Sequence, residues 1–261
     1  MSTQSHQTLI ERLFQAGAHF GFKKSRRHPT VTKYLYTSKD GNDIFDLEKS
    51  VVLLNDAASY IKEAGSHGKK VVFVGTKTEV SRIVKETAEK IDMPYVTNRW
   101  IGGMITNFSE IKKRLTRLET LITEKESGEL ERKYTKKERV VINREVDKLQ
   151  FNFGGIRTLT KPADIMVVVD PRYNDIAVAE ANEAGIPIVA VMSSDCDAAQ
   201  VTYPIIVNDA LQSSVSLVLK ELATAFAEGA ASYVPKTAPA TTGSRPARST
   251  APRRSTTAVT K

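Results

Sequence analysis

The 261 residues include one cysteine, one tryptophan and four histidines, and no long apolar run. Each shortage excludes something. A lone thiol, Cys196, cannot close an internal disulfide, which fits a reducing compartment. It sits in SSDCDAAQ, where acids on both sides raise a thiol pKa and make a poor nucleophile. His6, His19, His28 and His67 show no HxxxH or HExxH spacing. No stretch approaches the roughly 18 to 20 apolar residues of a membrane span, and the start, MSTQSHQTLIERLF, lacks an export pattern. The expectation is a soluble cytoplasmic protein without a membrane partner.

Nucleotide-binding fingerprints are missing as well. After the apolar run VVFV the chain reads GTKTEV, with neither GxGxxG nor GxxxxGK followed by Ser or Thr. A Gly-Thr-Lys turn around Lys77 could aim amides at one phosphate, which keeps a nucleotide- or sugar-phosphate-binding enzyme as the alternative reading. Asp170 follows a strand pattern, where catalytic acids occur, but it precedes Pro171 and suits a turn. His19 could meet Asp195 or Asp197 around a divalent ion, yet no spacing joins them. No catalytic residue, metal or cofactor is assigned.

Charge is unevenly placed. Residues 1–40 hold Arg12, Lys23, Lys24, Arg26, Arg27, Lys33 and Lys39 against Glu11 and Asp40. Residues 236–261 hold Lys236, Arg245, Arg248, Arg253, Arg254 and Lys261 and no acid, so within a net +8 the middle is mildly acidic. Basic ends on an acidic body suggest a polyanion partner; solvated ends are the bland alternative. The end of the chain, rich in Pro, Ala, Ser and Thr, is predicted to be disordered in the free protein.

Periodicity supplies the fold class. KVVFVGTKTEVSRIVKETAEK, then DIMVVVDPRYNDIAVAEANEAG followed by IPIVAVMS, alternate fully apolar strands with amphipathic helices. A third strand, YPIIV, leads into a helix expected to be capped by Asn208 or Asp209. This predicts a doubly wound, mainly parallel α/β sheet with helices on both faces. Between the halves, Ile111, Leu115, Leu118 and Ile122, then Ile142, Val146, Leu149 and Phe153, follow 4-3-4 spacing. With a capping box at Thr135 and Glu138 and a stop at Ser127-Gly128, they predict an inserted antiparallel coiled-coil helical hairpin. The expected divisions are a basic N-terminal segment (1–40), the body (41–107 and 154–230), the hairpin (108–153) and a basic tail (231–261).

Two glycine-bearing segments, AGAHFGFKKSRRHP at 16–29 and VTNRWIGGMITNF at 96–108, place rings beside Arg or Lys. Rings stack on bases and Arg pairs with phosphate oxygens. Trp100 could equally fill a packing corner under the hairpin.

AGAHFG, DLEKSV at 46–51, FVGTK at 73–77, NRWIGGMITN at 98–107 and FGGI at 153–156 occur in this order. The series resembles the bacterial small-subunit ribosomal protein S-two family from about residue 8 to 230. The resemblance implies an α/β body with a coiled-coil hairpin on the solvent side of the small subunit, bridging head and body through ribosomal RNA. It also implies neighbouring small-subunit proteins as partners, with support for docking of the S-one protein. The chain departs from the family's usual pattern with HFGFKK and with MSSDCDAAQ after IPIVAV. The RNA-facing set expected from these segments is His19, Phe20, Lys23, Lys24, Arg26, Arg27, Lys77, Asn98, Arg99, Trp100, Asn107, Lys112 and Lys113, with Arg245, Arg248, Arg253 and Arg254 in the tail.

Overall fold

The computed structural model describes the backbone of residues 2–233 and side chains from residue 8 onward. Helix α1 (Ser2–Gln15) leads into strands β1 (Phe20–Lys23), β2 (Leu35–Lys39) and β3 (Asn42–Phe45), an antiparallel sheet in the order β1-β3-β2. This sheet crosses residue 40, the edge expected for the basic segment, through the Asp40-Gly41 turn, where both residues have positive φ. Helix α2 (Leu47–Ser66) follows, capped by Asp46, whose side chain accepts from the Glu48 N–H.

The body then runs β4 (Val71–Val74), α3 (Thr78–Lys90) and β5 (Tyr95–Val96). Helices α4 (Phe108–Glu126), α5 (Glu129–Lys133) and α6 (Lys136–Phe153) intervene before β6 (Ile165–Val169), α7 (Asp175–Glu183), β7 (Ile188–Met192), β8 (Tyr203–Ile206) and α8 (Gln212–Ala231). The five body strands are parallel, in the order β5-β4-β6-β7-β8. From β4 the chain crosses outward to β5, then returns past β4 to β6, so the topological switch point lies between β4 and β6.

Strands buried on both faces read as continuous apolar runs because alternate residues serve opposite cores. Phe73, Val167, Val191 and Ile205 join the core made with α2, α3 and α8. Val74, Val168, Ala190 and Ile206 join the core made with α7, Trp100 and the root of α4 and α6. Helices α2 and α8 approach closely because Gly65 and Gly229 face each other's backbone. A Cβ at Gly229 would overlap the Lys62 carbonyl.

Helices α4 to α6 share a satellite core of Leu118, Leu121, Leu130, Ile142 and Val146. Thr135 and Glu138 close the capping box, and Gly128 takes the left-handed conformation after α4. Two details differ from the periodic reading. Leu121 is fully buried in the seam with Ile122 only partly buried against it, and Ile111, Leu115 and Phe153 belong to the body core rather than to the helical seam. Helix α8 also lacks the expected cap. Asn208 instead accepts from the Ala210 and Leu211 N–H groups ahead of it, while Asp209 turns inward.

Candidate nucleic-acid interface

The loop before α4 is tied to α7. Trp100 is only 7% exposed, and its indole Nε1 donates to Glu180 Oε1 at 3.3 Å. The same carboxylate accepts from the Gly103 N–H at 2.7 Å and, through Oε2, from the Ile105 N–H at 3.2 Å. Gly103 holds φ +88°, a value that favours glycine. Trp100 therefore departs from the expected RNA-facing set. A ring buried in the body core cannot stack on a base. Its neighbours do face outward: Arg99 is exposed, and exposed Asn98 donates through Nδ2 to the Phe151 carbonyl at 2.6 Å. Asn107, Lys112 and Lys113 are exposed at the start of α4, with Lys113 paired to Glu110 and Asn107 Oδ1 accepting from the Ser109 hydroxyl.

The N-terminal lobe gathers rings and cations. His19 stacks on Phe14, with ring centroids 4.5 Å apart, and lies tilted against Phe20 at 4.0 Å. Phe14 and Phe20 are 60% and 52% exposed. Burial lowers the His19 pKa, which favours the neutral ring. Among the described residues no hydrogen bond or ion pair joins His19 to Asp195 or Asp197. The histidine beside that loop is His28, 3.7 Å from Asp197. Lys23 and Lys24 are exposed and form no ion pair among the described residues. Arg26 lies over the Phe22 ring and, with Arg172, reaches Asp195 Oδ2 at 3.2 and 3.1 Å. Arg27 turns inward to a two-pronged pair with fully buried Asp43 and a bond to Ser38. Those bonds from Arg27 hold the Asp43 carboxyl below its ordinary range. Arg27 is thus engaged by the protein itself, contrary to the expectation that it meets phosphate.

A third cluster sits at the C-terminal ends of the sheet strands, where ligands of open α/β sheets bind. Lys77, after β4, is ion-paired with Asp170, after β6, and lies 3.8 Å from Asp209, after β8. Burial opposes the Lys77 charge, but Asp209, Asp170 and Asp195 outweigh it and its pKa rises. Asp209 is fully buried and neither carboxylate oxygen has a hydrogen-bond partner among the described residues. Burial first, then Asp170, pushes its pKa up to about 7 against the pull of Lys77. Cys196 lies 3.7 Å from Asp170 and 3.6 Å from Asp195, and burial raises its thiol pKa, as its acidic neighbours in sequence suggested. Donor atoms of Asp170, Cys196 and Asp209 converge within 4.8 Å, a set that could hold a cation. The ammonium of Lys77 already supplies positive charge there. Lys77 is therefore a correction to the expected phosphate contacts.

The Gly-Thr-Lys turn is built for packing. A Cβ at Gly75 would collide with Val84 of α3, and Thr76 donates to Asn174 at 2.8 Å. Asp170 combines both earlier readings. It adopts φ +57° in its turn, accepts from the Tyr173 N–H, and pairs with Lys77. Sequence reasoning missed Glu180. Its signal is an acid among the buried Ala177, Val178 and Ala181 of α7, an apolar face where a carboxylate needs partners. Asp43 and Phe14 were missed too. Arg245, Arg248, Arg253 and Arg254 lie outside the described residues.

Residues 13–229 match the family model described as ribosomal protein S2. The chain is similar to the small ribosomal subunit protein uS2 of Micrococcus luteus, 40% identical over 223 residues, covering 84% of this chain and 77% of that protein. It is also similar to the proteins of the same name from Salinibacter ruber, 41% identical over 86% of this chain and 70% of that one, and Dictyoglomus thermophilum, 39% identical over 85% and 89%.

Proposed function

Because the chain belongs to the ribosomal protein S2 family, we propose that it is a structural constituent of the small ribosomal subunit, binding ribosomal RNA and neighbouring subunit proteins. The observation that carries this is the match over residues 13–229, which takes in the N-terminal sheet, the body and helices α4 to α6 together. The role is architectural and supports translation; no reaction is assigned to the chain.

In this reading residues 41–107 and 154–230 form the body. Residues 108–153 form an arm in which α4 and α6 wind as an antiparallel coiled-coil hairpin, a geometry supported by the shared seam of Leu118, Leu121, Ile142 and Val146. Residues 1–40 are a basic N-terminal segment leading into the body, and residues 231–261 are a basic tail. RNA phosphates meet Lys23, Lys24 and Arg26 beside the Phe14-His19-Phe20 stack, and Arg99, Lys112 and Lys113 with Asn98 and Asn107 at the root of the arm. The tail arginines add to the same electrostatic attraction. Binding energy comes mainly from phosphate contacts, with the shape of folded RNA giving specificity. The S-one protein is the finer expectation for a protein neighbour. The place of work is the ribosome in the cytoplasm; among the described residues no helix is long and apolar enough to cross a membrane.

Sedimentation tests this. The tagged full-length chain in cell extract should travel with small subunits and whole ribosomes, and high salt should loosen it. A chain that stays at the top of the gradient at every salt concentration overturns the proposal.

A further inference from the structure

Helix α6 has two unlike faces. Ile142, Val146 and Phe153 are buried. Opposite them, at spacings of four and three, Lys137, Val141, Arg144, Lys148 and Phe151 are all exposed and share one stripe of the helix. Two nearby cations are paired within the protein: Arg117 with Glu145, Arg139 with Glu131. Lys137, Arg144 and Lys148 form no ion pair among the described residues. At the body end of the stripe Phe151 is 60% exposed, although a large aromatic ring gains most when buried. Its carbonyl is fixed by Asn98. Beside it opens a cup of about 580 Å³, lined with Arg82, Thr97, Asn98, Asp147, Gln150 and Asn152. The cup is wide enough to admit a planar group, and the amides and carboxylate present both donors and acceptors.

We propose that Phe151 is a stacking platform for an unpaired RNA base, whose flanking phosphates follow Lys148, Arg144 and Lys137 along α6. The stripe runs about 21 Å, long enough for several nucleotides. Asp147 repels phosphate but accepts from a base's exocyclic amino group, which places the base edge in the cup and the backbone on the cations. A flat ring beside unpaired cations is the combination that single-stranded RNA uses. This rests on the ribosomal reading and deepens it, naming a looped-out or bulged single strand as the ligand and α6 as a continuation of the RNA surface at the root of the arm.

The test is a binding titration of the full chain against in vitro transcribed small-subunit ribosomal RNA over a range of salt. F151A should weaken binding about tenfold with the salt dependence unchanged. F151L, which keeps apolar bulk without a flat ring, should behave like F151A, and F151W should bind within about twofold of the unaltered chain. R144A/K148A should instead flatten the salt dependence, by between about 1 and 2 in log–log slope. Unchanged affinity of F151A and F151L, with the unaltered chain binding normally, overturns the platform and leaves the ribosomal reading standing. Unchanged RNA affinity with lost incorporation into subunits assigns the face to a protein neighbour, and also overturns it. If the unaltered chain neither binds this RNA nor enters subunits, both proposals fall.

Discussion

At the C-terminal ends of the sheet strands, Lys77 lies among Asp170, Asp195 and Asp209, whereas in the N-terminal sheet Lys23 and Lys24 stand in solvent outside any ion pair among the described residues. The side chains are the same. What differs is the solvation that each has surrendered. An ammonium drawn largely out of water must be compensated inside the protein, so its neighbours are fixed by the fold. An exposed one keeps its water and remains available to a polyanion. Charge alone therefore does not mark a candidate RNA contact; exposure must accompany it.

Removing the half-buried cation attacks the first half of that contrast and should have the largest effect. K77M leaves Asp170 and Asp209 facing each other uncompensated, which should cost about 3–5 kcal/mol in denaturant unfolding. A loss below about 1 kcal/mol would mean that the cluster does not depend on Lys77.

A smaller effect, with a pH signature, belongs to Asp209. Its pKa is raised from the ordinary carboxylate value to about 7, so between roughly pH 4 and 7 the native state binds more protons than the unfolded one. The stability from that retained proton is full below the unfolded pKa and is lost as pH rises through 7. D209N cannot titrate. Relative to D209N, the unaltered chain should lose on the order of a few kcal/mol between pH 5 and pH 8, read from unfolding midpoints. Parallel curves for the two proteins would show that Asp209 does not titrate in this window.

On the exposed side, stability should hardly move. K23A/K24A should unfold within about 0.5 kcal/mol of the unaltered chain. Its binding to small-subunit ribosomal RNA should nevertheless lose between about 1 and 2 in log–log salt slope. A marked loss of stability with an intact slope would reverse the comparison.

The apolar strands and the helices α4 and α6 were legible in the sequence because each is encoded locally, by runs such as IMVVV or by residues repeating on one face. The antiparallel sheet in the N-terminal lobe was not. Strand β2, LYTSK, has four exposed residues of five, so no alternation marks it. Helix α5, five residues long, is too short for a period. At the candidate site the exposed lysines could be read directly, since exposure requires nothing else of the chain. Inward-turned residues could not. Trp100 meets an acceptor 80 residues away and Arg27 one 16 residues away, and the Lys77 cluster draws on the ends of four strands. Those partners are brought together only by the fold.

Glu180 has a mechanical consequence. Helix α4 has 19 residues and so is about 28 Å long, and the loop in front of it is fastened to α7 by one carboxylate accepting three donors. That carboxylate acts as a fulcrum clamp. Over such a length a slack of only ~5° at the root displaces the far end by about 2.5 Å, comparable to a whole hydrogen-bond length. The accuracy with which α4 can aim its far residues is therefore decided at its near end, by a side chain belonging to the body.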